Sequence, residues 1–242
     1  MSGPERSGGG DQRRRGAGFL GTAVLTPTAD PVVVELLARD VDAVILDLEH
    51  GAIADADAGT AAVVAHANGA RIAIRVAVSE PARAARFLDA GGDGVIAARV
   101  DDTDTARAWV AAVSPPPRGH RGVGATRATR YGRRAEVLGP PWVCAQIETG
   151  RGLAELEQIA GVPGIDALLV GERDLSYALG IPGELAHPQI AAAHVAVVEA
   201  ARRHGLSYVA VSGRLTAAVA VPDLLILAFN TVIERGIREV RS

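Results

Sequence analysis

Four strings in this chain end an apolar run on side chains that do chemistry. In ILDLEHG, Asp47, Glu49 and His50 close the run and Gly51 releases the chain. A carboxylate beside an imidazole fixes its tautomer and raises its basicity, so an Asp–His general base is one reading and a histidine capping the next loop is the other. In RIAIRV, Arg75 closes the run, and a guanidinium there is costly to bury without an anion. That anion is a substrate carboxylate, an enolate oxygen, or a protein acid such as Asp47 or Glu49. In WVCAQIETG, strand alternation puts Gln146 and Glu148 on one face and Ala145 and Ile147 on the other. In ALLVGERDLSYALG, Asp174 follows an apolar run by a short turn. It is either the N-cap of the helix-like segment behind it or, with Glu148, one of two adjacent oxygen ligands for a divalent cation.

Other ligand candidates are weaker. His66, His187, His194 and His204 fall on helices or helix starts with no HxxxH or HExxH spacing, and read as surface or packing residues. Cys144 alternates with Gln146 and reads as a small buried hydrophobe. All 25 basic residues are arginine. With no lysine, Schiff-base chemistry on a carbonyl substrate or on pyridoxal phosphate is ruled out, as is a Walker phosphate loop. The net charge of -3 gives no overall attraction to a polyanion, so no nucleic-acid partner is expected. No run of 18 apolar residues occurs, and residues 1–15 lack an apolar signal core. The expectation is a soluble, cytoplasmic protein without a membrane partner.

Positioning such residues requires a frame. Hydrophobic residues make up 48% of the 242-residue chain but aromatics only 3%, so the core is built from Ala, Val, Leu and Ile, a palette suited to buried parallel strands and their covering helices. Residues 1–17, rich in Gly and Arg, read as a flexible tail, and 18–242 as one catalytic domain. Eight strands are predicted, at 18–25, 43–48, 71–76, 94–98, 142–147, 167–171, 206–211 and 224–229. Helices are predicted at 31–39, 56–68, 81–90, 103–113, 152–160 and 187–204, with Pro31 and Pro81 in first turns and Gly69, Gly91, Gly161 and Gly205 as stops. The sum is an α/β fold, a (β/α)8 TIM barrel, whose chemistry belongs at the C-terminal ends of the strands. Two gaps depart from regularity: a long loop precedes the fifth strand, and the connection from the seventh to the eighth leaves little room for a helix.

Taken in order, DLEHG, the IR pair ending the third strand, RGVG after a Pro-rich loop, QIET and the GxxDLSxxLG string resemble the metal-dependent HpcH/HpaI aldolase family. The resemblance spans roughly residues 18–180, and extends more distantly to the citrate lyase beta subunit. It implies a carbon–carbon lyase that makes or splits a β-hydroxy α-keto acid through a pyruvate enolate, with a keto acid and an aldehyde as partners. Carried onto this chain, Glu148 and Asp174 are the ligands of Mg²⁺, Mn²⁺ or Co²⁺, and His50 held by Asp47 is the acid/base pair. Arg75 contacts the keto oxygen with Gln146 close by, and Gly171 with the backbone around Arg173 and Asp174 holds the substrate carboxylate. Asp89 reaches the neighbouring subunit's site in a homo-oligomer, a hexamer in the family. The absent lysine fits, since an enolate formed without an iminium needs another source of positive charge.

Departures point to an altered substrate. The family string GPADLS is here Gly171, Glu172, Arg173, Asp174, and Val76 follows Arg75 where the aldolases often have proline. An unusual aldehyde or another enolate donor such as oxaloacetate is therefore in view. Glu172 motivates an acyl-CoA lyase as an alternative, and a non-catalytic metabolite-binding scaffold is the alternative of another class.

Overall fold

Short runs rich in Val, Ile, Leu and Ala, buried on both faces, form parallel strands, and the proline-led or Asp-capped segments between them form helices. The computed structural model describes residues 18–133, 138–212 and 220–241. In it β1 (Gly21–Thr26), β2 (Ala43–Asp47), β3 (Arg71–Val76), β4 (Gly94–Ala97), β5 (Trp142–Ile147), β6 (Ala167–Val170), β7 (Ser207–Ser212) and β8 (Leu224–Ala228) close into one parallel barrel in sequence order, with β8 against β1. The helices are α1 (Pro31–Asp40), α2 (Asp55–Ala67), α3 (Pro81–Asp89), α4 (Thr103–Val113), α5 (Gly150–Ala154), α6 (Leu156–Ala160), α7 (Glu172–Ala178), α8 (Pro188–His204) and α9 (Phe229–Arg241). This is a TIM barrel.

Two apolar layers hold it. Ala23, Ile45, Ala73, Ile96, Cys144, Leu169, Val209 and Ile226 fill the inside of the barrel, and their strand neighbours, such as Leu46, Ile74, Ala145 and Leu168, pack outward against the helices. Phe19 stacks on Trp142 with ring centroids 4.5 Å apart, closing the end at which the strands begin.

At that same end an aspartate precedes every second strand and ties it to the strand before. Asp42, Asp93, Asp166 and Asp223 accept hydrogen bonds from the amides of Thr22, Ile72, Val143 and Tyr208 at 2.8, 2.9, 2.8 and 2.8 Å. Each hook satisfies an amide at the start of an odd-numbered strand, where the ladder has not yet begun. Gly21, at φ +90°, makes room for the first, because a Cβ there would stand 2.2 Å from the Asp42 carboxylate.

Several expectations shift. The first strand begins at Gly21 rather than Gly18, because Phe19 turns in to plug the barrel. The predicted helix at 152–160 is two short helices, broken at Glu155. Gly171, not Asp174, is the N-cap of α7, so Asp174 stands inside the first helical turn. The C-terminal helix α9 was not anticipated, and none of its residues is buried. The tail at 1–17 and most of the connection between β7 and β8 lie outside the described residues.

Candidate active site

The C-terminal ends of β2, β3, β5 and β6 bring most of the sequence-predicted residues to one mouth. Asp47 ends β2 directly across from Arg75 in the strand register. Their side chains therefore pair in a fork, Arg75 Nε donating to Asp47 Oδ1 at 3.1 Å and Nη2 to Oδ2 at 2.7 Å. Glu49 Oε2 lies 3.4 Å from the same Nε. The protein-acid reading of Arg75 is thus realised, yet its Nη1 edge is not engaged by these contacts.

The same pairing alters the expected Asp47–His50 dyad. Asp47 Oδ1 accepts the main-chain N–H of Glu49 and of His50, at 3.2 and 3.3 Å, and so shapes the turn after β2 instead of holding the imidazole. The carboxylate nearest the ring is that of Glu49, 3.7 Å from Nε2, and the His50 side chain is 63% exposed at the mouth. Arg83 of α3 clamps this turn from outside, donating to Leu48 O at 3.1 Å and Ile53 O at 2.6 Å while it pairs with Asp55.

On β5, Cys144 and Gln146 face the barrel interior as alternation requires, and Gln146 and Glu148 are buried. The Gln146 amide donates to Glu148 Oε2. Gly171 leaves the space beside them: a Cβ there would meet Glu148 Oε2 at 2.3 Å and its Cβ at 2.7 Å. Glu148 is pushed up to about 7, first by burial, with the charges of Glu49 and Asp174 adding to the push and the Gln146 hydrogen bond and Arg75 opposing it. Glu49 is raised too, by burial and by Asp47 and Asp174. Burial alone would pull Arg75 down, but Asp47, Glu49 and Glu148 hold its guanidinium above the usual value.

Glu49, Glu148 and Asp174 thus feel one another around one guanidinium. Oε2 of Glu49 and Oε1 of Gln146 are buried without a hydrogen-bond partner. Among the described residues no three His, Cys, Asp or Glu side chains make a complete metal cluster by themselves. Crowded acids, orphaned oxygens and a glycine-lined gap nevertheless fit a divalent cation held partly by substrate and water.

Not every candidate reaches this mouth. Asp89 ends α3 just before β4, at the opposite end of the barrel, where Arg121 of the RGVG string binds it through Nε and Nη2 at 3.2 and 3.1 Å. Arg173 is exposed on the first turn of α7. Glu172 turns away from the mouth to the ring of His194 in α8. His66, His187 and His204 are held by Asp93, by the first turn of α8 and by Glu157. Cys144 is fully buried, its thiol pushed up by desolvation. Sequence reasoning offered Glu49 as an acid for Arg75, a role the 3.4 Å pair fits, but not as a neighbour of Glu148, and it missed Arg83, which has no sequence signal because its partners lie 30 and 35 residues away.

The chain is similar to known proteins over most of its length. A family model described as HpcH/HpaI aldolase/citrate lyase matches residues 24–219. A 2-dehydro-3,6-dideoxy-6-sulfogluconate aldolase of Pseudomonas putida is 38% identical over 185 residues, 74% of this chain and 72% of that protein. A hydroxypyruvate/pyruvate aldolase of Sagittula stellata is 36% identical over 167 residues, 66% of each chain. Among solved structures, an HpcH/HpaI aldolase/citrate lyase family protein from Burkholderia cenocepacia superposes with a TM-score of 0.83 at 28% identity, covering 96% of this chain and 98% of that one.

Proposed function

The chain belongs to the HpcH/HpaI aldolase/citrate lyase family, and from that premise we propose that it is a divalent-metal-dependent aldolase making or splitting a β-hydroxy α-keto acid through a pyruvate enolate. The observation that carries this reading is the set of mutually repelling carboxylates, Glu49, Glu148 and Asp174, gathered beside Arg75 in a chain without lysine. A divalent cation such as Mg²⁺, Mn²⁺ or Co²⁺, held by Glu148 and Asp174, would supply positive charge for a developing enolate.

The chain's own residues do the rest. Arg75, already oriented by Asp47 and Glu49, offers its Nη1 edge to the keto oxygen. Gln146 fixes Glu148 and fills the wall beside it. Gly171 keeps the gap next to Glu148 open, and the amides that follow it hold the substrate carboxylate. His50, exposed to the mouth with Glu49 near its ring, carries the proton of the substrate hydroxyl. Asp47 serves that step through the backbone of the turn.

The acyl-CoA alternative rested on Glu172, which faces His194 rather than the mouth. A homo-oligomer is part of this proposal, with Asp89 serving a neighbouring subunit's site. The uncovered α9 supports it, since Ile233 and Ile237 and Val240 are exposed along one helical stripe.

The test is to strip metal from the protein and offer oxaloacetate, then pyruvate with a panel of aldehydes, restoring Mg²⁺, Mn²⁺ or Co²⁺ in turn. Turnover that requires the cation is the expected result, and Glu148→Ala or Asp174→Ala lowers it at least a hundredfold, on the order of 3 kcal/mol of transition-state stabilisation. Full activity in chelator overturns the metal mechanism. No turnover under any condition favours the scaffold.

A further inference from the structure

Behind α7 lies a buried polar chain that the reaction does not use. His194 Nε2 stands 2.9 Å from Glu172 Oε1, and His194 Nδ1 stands 2.8 Å from the Tyr208 hydroxyl. The three residues come from α7, α8 and β7, and the His194 side chain is 7% exposed. The partners assign the protons. A carboxylate has nothing to donate, so Nε2–H donates to Glu172, and in the neutral ring Nδ1 then accepts the Tyr208 O–H. Burial and the Glu172 charge push the tyrosine up to about 12. Every member of the chain is satisfied, the condition under which a buried polar network rigidifies what it joins.

What it joins is short. α7 has seven residues, its N-cap glycine offers no side-chain cap, and a helix of that length has little stability of its own. Its far end is fastened by Ser176, which donates to Arg173 O and accepts from Gly183 N. Its first turn is fastened by the Glu172–His194 pair. At about 100° per residue, Glu172 and Asp174 project to nearly opposite sides of the helix. Pinning Glu172 against α8 therefore sets the direction in which Asp174 points.

We propose that Glu172, His194 and Tyr208 are positioning residues that fix the rotation of α7 and so aim Asp174 at Glu148, giving the site its affinity for a divalent cation without touching it. This rests on the metal-dependent reading above.

Titration of the metal-free protein with Mn²⁺, followed by electron paramagnetic resonance, tests it without any turnover. His194→Phe and Glu172→Ala should weaken Mn²⁺ binding about tenfold or more, the range typical of residues that orient metal ligands. Glu172→Gln, whose amide oxygen still accepts from Nε2–H, should restore most of the affinity, and Tyr208→Phe, which keeps the packing, should give a smaller loss of about threefold. Thermal melts of the same variants separate folding from aim. Variants that melt earlier yet bind Mn²⁺ like the native chain overturn the proposal and leave the metal reading standing. A native chain that binds no Mn²⁺ overturns both. If His194→Phe fails to fold, Glu172→Ala against Glu172→Gln decides the matter by the same titration: a loss in the first that the second restores supports the proposal, and native-like binding in both overturns it.

Discussion

Glu148 is a carboxyl group that its surroundings hold near its midpoint at neutral pH. Burial, with Glu49 and Asp174 nearby, raises it from 4.5 to about 7. Between those values the folded chain binds more protons than the unfolded one, so stability is present below the lower value and is lost as pH rises through the upper one. The loss is roughly 3 kcal/mol when complete. We expect the metal-free native protein to lose melting temperature from about pH 5 to about pH 8 relative to Glu148→Gln, and Mn²⁺ to restore it in the native chain alone. Parallel melting curves for the two proteins across that range would show that Glu148 titrates as an ordinary acid. Part of this was legible in the sequence. Period-two alternation in WVCAQIE placed Gln146 and Glu148 on the inner face, and the polar end of RIAIRV foretold a guanidinium needing an acid. The proximity of Glu49 to Glu148 was not legible, since the two come from β2 and β5 and meet only when the barrel closes. The pairing of Arg75 with Asp47 was one of the readings open in the sequence, and their facing positions in the ladder decide it.

Among the elements, the turn from β6 into α7 is the most sensitive to a single methyl group. Gly171 has an ordinary φ of -83°, so alanine suits the backbone there; the obstacle is steric, with Glu148 atoms at 2.3 and 2.7 Å. Gly171→Ala is expected to leave the circular dichroism of the fold intact and to lower kcat/KM at least tenfold by displacing the Glu148 carboxylate. Native-like kinetics in that variant would mean that Glu148 rests elsewhere when substrate is bound. The eight strands could be read because β-branched runs bounded by Gly, Asp and Pro are distinctive. Helix ends were harder. The break at Glu155 lacks Pro or Gly, and α9 follows β8 without a turn residue, so its start could not be told from the end of the strand. The aspartate hooks escaped notice because their spacing in sequence varies with the helices between them.

Over the whole molecule, α9 is the feature least explained by one chain. It presents exposed Ile233, Ile237 and Val240 and covers little of the barrel. Light scattering should find the native protein larger than a monomer, and Ile233→Glu should shift it toward the monomer with its melting transition preserved; an unchanged mass would place the subunit contact elsewhere. Composition foretold the barrel, and the resemblance leads to the expectation of an assembly, but no property of one sequence states which copy a stripe will cover.

The four hooks have a further meaning. Each binds an odd strand to the even strand after it, so the barrel is built of paired staves, and the long loop before β5 falls between pairs. Severed there, the polypeptide would yield two half-barrels with their own hooks complete. One would keep Arg75 and His50, the other Glu148 and Asp174, so neither fragment holds the whole constellation and its parts would meet only on reunion.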